Sequence, residues 1–415
     1  MKTTIKLAVA SALVAAATSA NAGIVIPAGD WTLDINGNVN AYATWTNSDR
    51  AKGTVSGAIA STPDAAGEKN TQGINTGLLP AWLGFSGKTR QNDLDVAFTI
   101  SFQPNVSDNS GAGDNKTPLN RQAFITFGDK SWGSIKLGKD IGIFAQDAIL
   151  NDMTLLGVGG GAGNSGTSTT LGGIGTGYIY AAWKGQVTYT SPNWNGFSFA
   201  AGITNPNQGF GSATVGTGTT AVTSNLNQDR FGFEGKVQYE WAGDVSGKVW
   251  ASGASYDVTA QTSTAAAVLT TDSYKANAWD IGANVNVAGF GLTGYYYDGK
   301  GAGTTIFGDL GAQINTVTGQ AKRRDSNGGY LQGTYTIPGV GTKIGLAYGI
   351  SKLDNVAGDP GTLVESNRRY TVGAYHPLTK HLNLVAEYNN IKSEGQASAN
   401  EYQSDSISAG AILFF

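Results

Sequence analysis

Cysteine is absent from the 415-residue chain, which excludes disulfides, thiolate nucleophiles and cysteine-based metal sites. Histidine occurs only at His376 and His381, and charged residues make up 14% of the sequence. Beyond residue 22 no stretch approaches the roughly 20 consecutive apolar residues of a spanning helix, so a helical membrane protein is excluded. Basic character is missing as well. The 27 Lys and Arg residues less Lys2 and Lys6 leave 25 against 30 acidic ones, and no nucleic-acid partner is expected.

What the chain has is glycine and aromatic residues together. Sixty glycines alone would suggest low complexity, but 10% Trp, Tyr and Phe is too much for a disordered chain. The first 22 residues carry Lys2 and Lys6, an apolar run from Leu7 to about Ala17 and the small-residue pattern Ala20-Asn21-Ala22. They read as a cleaved signal peptide, residues 1–22, which leaves one domain, 23–415, for fold reasoning.

The rest alternates with a period of two. From Leu33 the odd positions run Leu33, Ile35, Gly37, Val39, Ala41, Ala43, Trp45, while the even ones run Asp34, Asn36, Asn38, Asn40, Tyr42, Thr44. Leu94, Val96, Phe98, Ile100 and Phe102 interleave with polar or small residues in the same way, and "VTYTSPNWNGFSFAAGI" (187–203) is two such runs joined by a turn. Continuing along the chain predicts sixteen strands, near 31–45, 79–88, 92–103, 120–128, 132–139, 184–191, 196–204, 229–241, 244–257, 277–287, 290–298, 328–337, 342–353, 367–376, 382–391 and 405–415. Short and long connections take turns between them, as in an up-and-down, all-β transmembrane barrel with tight turns at one rim. Trp132, Trp194, Phe197, Trp241, Phe290, Tyr375 and Phe415 gather at the short-turn end and read as one interfacial aromatic girdle. Apolar faces then meet lipid, and polar faces line a water-filled interior.

At this point the chain resembles the general porins of Gram-negative outer membranes, trimeric sixteen-stranded barrels that pass small hydrophilic solutes. The stretches that carry the likeness are "NRQAFITFGDKSWGSIKLGK" (120–139), "VTYTSPNWNGFSF" (187–199), "YTVGAYHPLTKHLNLVAEY" (370–388) and the terminal Phe415. The resemblance implies a homotrimer among outer-membrane lipid and lipopolysaccharide, assembled by barrel machinery that reads Phe415. It also implies a third long loop, 140–183, folded inward as a constriction. Asp152 matches one of the family's loop carboxylates, but the following Glu falls near Leu156 and is missing, so Asp147 and Asp140 are candidates in its place. On the wall Arg121 matches a constriction arginine. The other basic positions fall on Asn38, Trp82 and Ala182, with Lys184 nearby. Strand parity does not decide between this role for Arg121 and a rim ion pair.

The lumen is expected to carry Asp34, Asp93, Asp95 and Asp280, which inclines the reading towards weak cation preference. No cofactor or metal is expected. "GVGGGA" (157–162) fits a loose dinucleotide pattern, but no amphipathic helix follows it. Arg323-Arg324 and Arg368-Arg369 flank long loops, where they bind lipopolysaccharide phosphates or pair with acids. Alternatives to a diffusion porin are an eighteen-stranded selective channel with a hairpin hidden in 46–78 or 299–327, a plugged adhesive barrel, and a lipid-cleaving barrel enzyme using His376 or His381.

Overall fold

The computed structural model describes residues 23–106, 119–161, 169–205, 212–215, 222–227, 230–263, 268–315 and 320–415. The leader expected at 1–22 lies outside them.

Sixteen antiparallel strands close on themselves. They are β1 (Trp31–Lys52), β2 (Trp82–Gln91), β3 (Leu94–Gln103), β4 (Leu119–Asp129), β5 (Gly133–Ile141), β6 (Trp183–Thr190), β7 (Phe197–Thr204) and β8 (Gly232–Trp241), followed by β9 (Val245–Ser263), β10 (Val268–Val287), β11 (Phe290–Lys300), β12 (Asp325–Thr336), β13 (Lys343–Leu353), β14 (Val364–Pro377), β15 (Leu382–Gly395) and β16 (Glu401–Phe414). Each pairs with the next, and β1 closes on β16 from Asn38 opposite Phe414 to Lys52 opposite Glu401. Both loops suspected of hiding a hairpin do contain strands, yet neither adds a stave. Asn70–Asn75 pairs only with β1, and Ala312–Ile314 with Ala321–Arg323 form a separate two-stranded sheet.

Closure leaves no edge, as a bilayer requires. The pattern of exposure is inverted relative to a soluble protein. Val39, Trp45, Ile100, Ile125, Val249, Ile281, Leu331, Leu346 and Ile407 are exposed on the outside, while Asn38, Asn40, Thr44, Gln122, Thr188, Asn389 and Ser406 are buried inside. Trp132, Trp194, Phe197 and Phe290 lie exposed at the short-turn rim, Trp241 stacks on Tyr239, and Tyr189 and Tyr335 join them. Tyr375 does not belong to this belt. It is buried on the lumen side, where its hydroxyl donates to Glu387 (2.7 Å). Phe415 is locked into the closing seam, its N–H donating to Gly37 O (3.0 Å) and its carbonyl accepting from Gly37 N (2.8 Å).

The short turns obey the twist of the sheet. Asn92 and Asp93 both have positive φ (48° and 62°) in the two-residue loop between Gln91 and Leu94, the geometry of a type I′ turn. Asp93 therefore sits on a rim turn and not in the lumen, because the residue that makes the turn cannot also be a stave.

Several staves run past their expected limits, β1 to Lys52, β9 to Ser263 and β10 back to Val268, and one is cut short where the chain leaves the wall. The strand expected at 79–88 starts at Trp82, because 76–81 leaves the ladder and bows into the lumen between Asn70–Asn75 and β2. Asn38 Nδ2 donates to Pro80 O (2.9 Å), Asn40 Nδ2 to Leu79 O (2.9 Å), and Asn40 Oδ1 accepts from Gly77 N (2.9 Å). Two inward amides thus replace ladder partners that the detour gave up. Replacing Asn40 by Leu leaves these groups unpaired and is expected to destabilise the barrel by about 2 kcal/mol. The measurement is the temperature at which the compact form of the barrel converts to the unfolded band on electrophoresis; an unchanged temperature would mean the detour holds its own shape.

Candidate functional site

Residues 142–161 and 169–182, between β5 and β6, fold into the barrel. Their ends are tied together, Gly142 N donating to Ala182 O (2.8 Å). An inward loop has no ladder to satisfy its amides, and the wall supplies acceptors. Glu234 on β8 accepts from Ile143 N (2.6 Å) and Phe144 N (3.1 Å). Asp280 on β10 accepts from Ala145 N (3.2 Å), and Gln332 on β12 accepts from Met153 N (2.9 Å) while donating to Asn151 O (2.6 Å). Glu387 on β15 accepts from Val158 N (3.0 Å) and Gly159 N (2.8 Å). The glycine run explains itself here. A Cβ on Gly157 would collide with Glu387 Oε1, and Gly159 has φ +59° with Gly172 against it.

Within the loop a five-residue helix, α1 (Gln146–Leu150), precedes a 3-10 turn over Met153–Leu156. Asp152 caps that turn through Thr154 N (2.9 Å) and also accepts from Gly173 N (2.9 Å) and the Tyr178 hydroxyl (2.8 Å), with Arg369 Nη2 at 3.5 Å. The carboxylate expected to face the pore is instead buried and fastens one half of the loop to the other. Asp147, on α1, makes ion pairs with Lys236 (2.7 Å) and Lys248. Its burial works to raise the carboxyl's affinity for a proton, but the two ammonium groups outweigh this and hold it below the ordinary carboxylate range.

The other candidates sort by position. Asp140 is on β5 and not in the loop; fully buried, it accepts from Gln122 Nε2 (3.0 Å) and pairs with Lys136. Lys184 is not on the pore surface either. Its side chain is 4% exposed, with the ammonium between Glu234 (2.6 Å) and the Tyr256 hydroxyl (3.0 Å). Arg121 stands at a β-bulge, the register slipping from Ser101 opposite Gln122 to Phe102 opposite Asn120, which is why alternation could not orient it. Its N–H donates to Gln103 Oε1 (3.0 Å). Its charge acts on Tyr180 at the end of the loop, where burial raises the phenol and Arg121 opposes the rise. Asp34 shares the inward phase of β1 and accepts from Asn36, whereas Asp95, at the rim, pairs with Arg90 (2.8 Å), which also reaches Asp129 (2.9 Å). Asp280 is spent on Ala145, Ser252 and Tyr295. Of the arginine pairs, Arg324 is clamped by Asp359 (2.6 and 2.8 Å) and Arg369 faces Asp152, so in each pair one member is buried and unavailable to lipopolysaccharide.

The interior is also less aqueous than alternation implied. Trp250, Tyr256, Tyr295, Tyr297 and Tyr330 occupy inward positions of β9 to β12, and Phe144 meets Phe307 edge-on (5.7 Å, 83°). Sequence reasoning missed Glu234, Lys236, Lys248, Gln332, Lys343 and Glu387. Their signal was there: each is a polar or charged residue in the inward phase of a strand.

These features, a closed sixteen-stranded barrel with an inward third loop, agree with a family model. The model described as Gram-negative porin matches residues 8–396. The chain belongs to the Gram-negative porin family. No curated protein matches this porin. Among solved structures it is similar to the outer membrane channel DcaP of Acinetobacter baumannii, at 17% identity and TM-score 0.68 over 95% of this chain and 100% of that one. It is similar to the anion-selective porin from Comamonas acidovorans, at 16% identity and TM-score 0.59 over 93% and 100%. The trimer form of OmpT of Vibrio cholerae is similar at 13% identity and TM-score 0.52 over 93% and 99%. At such identities the likeness is one of fold, and together with the family it makes this porin an outer-membrane channel.

A carboxyl held below its ordinary value stabilises the folded state fully above the ordinary carboxylate range and loses that contribution as pH falls through the lowered value. Comparing Asp147→Asn with the parent should therefore give a stability difference that is constant from pH 8 to about 5 and shrinks only below ~4. Thermal unfolding in detergent across that range checks it, and a difference that vanishes near neutrality would contradict the two-lysine pairing. In a second variant, Gly157→Ala, the loop is expected to lose its hold on Glu387 and to become open to protease from the lumen while the barrel stays folded.

Proposed function

We propose that this porin is a passive diffusion channel for ions and small hydrophilic solutes, a homotrimer in the outer membrane, exported by a cleaved leader, with no chemical step. The single observation that carries the ionic part of the proposal is how the lysine–aspartate pairs at and beside the inward loop are turned. Lys136, Lys236 and Lys248 keep 21%, 13% and 22% of their side chains in contact with solvent, while their partners Asp140 and Asp147 keep 0% and 2%. In these pairs the lysine is the more accessible partner, while Lys248 also lies 3.6 Å from Glu240, whose side chain is 47% exposed. The cation preference inferred from Asp34, Asp93, Asp95 and Asp280 loses most of its ground, since Asp93 is on a turn, Asp95 is paired and Asp280 is 1% exposed. A passing ion meets positive charge first, and we read the preference as anionic. The anion-selective character of the Comamonas relative supports this reading, and the trimer form of the Vibrio relative supports the homotrimer.

The assembly-signal role of Phe415 is supported by its place in the closing seam. The enzyme alternative has little to build on. His376 Nδ1 lies 2.9 Å from the Thr342 hydroxyl, and no serine hydroxyl is bonded to either histidine among the described residues.

Single-channel current in a planar bilayer under a KCl gradient tests the reading. Steps that close in threes and an anion-selective reversal potential are expected. Lys236→Glu with Lys248→Glu should turn the potential towards cations. A folded barrel that passes no current would overturn the diffusion reading in favour of a plugged or adhesive barrel.

A further inference from the structure

On the short-turn side of the inward loop a cavity of about 560 Å³ opens between the underside of that loop and the inward residues of β9 to β13. Its polar wall is built of amides and hydroxyls, with Leu150, Met153, Leu155 and Leu156 of the loop as an apolar roof. Asn286 Nδ2 donates to Asn284 Oδ1 (2.6 Å), Asn284 Nδ2 to Thr293 Oγ1 (2.8 Å), and Gln332 Nε2 to the same hydroxyl (3.2 Å). These bonds fix the amide orientations in advance, and Asn286, Ser246 and Thr336 line the space. Gly291 provides the room, since a Cβ there would stand 2.6 Å from Thr334 Oγ1.

One cation completes the lining. Lys343, at the start of β13, has its ammonium 5.6 Å from the centre of the Tyr375 ring and makes no ion pair with any described residue. A half-buried ammonium without a counter-charge, in a hollow of hydrogen-bonding groups, is complementary to an anion that brings hydroxyls with it. Asp244, on the turn at the mouth, opposes a second negative charge.

We propose that this cavity is a solute subsite for a small hydroxylated monoanion, a hydroxy acid or sugar acid. Its carboxylate sits at Lys343 and its hydroxyls lie along the Asn284, Asn286 and Thr334 row. The inference rests on the diffusion-channel reading and names what the channel holds as it passes.

The test is saturable block of KCl current by gluconate, compared with hexanoate, which has the charge without the hydroxyls, and sorbitol, which has the hydroxyls without the charge. Gluconate is expected to block at the lowest concentration of the three. Lys343→Gln should raise its half-blocking concentration about tenfold, the loss of one charge-assisted hydrogen bond, with KCl conductance kept. Asn284→Ala should bring gluconate towards hexanoate. Gluconate that blocks no better than hexanoate, or block unmoved by Lys343→Gln, would overturn the subsite while leaving the channel standing. Absence of KCl current from the folded parent would overturn the channel reading and the subsite with it.

Discussion

A peptide segment folded inside a closed barrel has left the ladder that would have satisfied its N–H groups, and everything at this porin's centre follows from how those groups find acceptors. Glu234, Asp280, Gln332 and Glu387 reach in from four strands and take the amides of residues 143–145, 153 and 158–159. A carboxylate accepting two amides binds each more strongly than a neutral acceptor would, by charge-assisted hydrogen bonds of roughly 1.5–3 kcal/mol. The same carboxylates then need burial partners of their own. Lys184 and Tyr256 serve Glu234, Tyr375 serves Glu387, and Tyr295 with Ser252 serves Asp280.

Using acids as loop anchors has a consequence for charge. Carboxylates that hold backbone are drawn behind the pore surface together with their partners, as Lys184 is with Glu234, whereas the lysines paired with Asp140 and Asp147 keep part of their side chains in water. Net composition is therefore a poor guide to local charge: the chain is acidic, with formal charge −3, yet in the pairs Lys136–Asp140, Lys236–Asp147 and Lys248–Asp147 the lysine is the partner that touches solvent. The short reach of electrostatics at physiological salt, about 8 Å, makes the accessible charge decisive over the total.

Strand number and order were legible in the sequence because a lipid-facing sheet imposes a strict period of two, and sixteen such runs are hard to mistake. What alternation could not convey is any position where the ladder breaks. The bulge at Arg121, the detour at 76–81 and the I′ turn at Asp93 each shift a side chain away from its expected face. Nor does parity say what an inward side chain meets. Lys184 and Tyr375 share the phase of their polar neighbours but lie under the inward loop, so one became an anchor's partner and the other left the girdle. The glycine run at 157–161 showed only that bulk was forbidden. The reason, a glutamate 229 residues later whose oxygens fill the space of a Cβ, required the fold.

Apolar contacts hold the inward loop as well. Its apolar residues, Phe144, Ile149 and Tyr178 among them, lean on the aromatic inward positions of β9 to β12, and Phe307 from a second loop closes that side. Across the lumen the inward positions of β2 to β4 carry Ser86, Thr99 and Thr126, half-buried and short, and Ser86 bonds Thr99 across the pair (3.1 Å). Apolar burial at about 25 cal/mol per Å² therefore fastens this part of the loop to those strands, and a second cluster fastens Met153 and Val158 to Tyr42, Ala347, Tyr375 and Val385. That part of the lumen packs as the core of a globular protein does, while Ser86, Thr99 and Thr126 keep their own positions short and polar. A loop held only by the pore's own water-exposed ion pairs, each worth about 0–1 kcal/mol, would have no such hold.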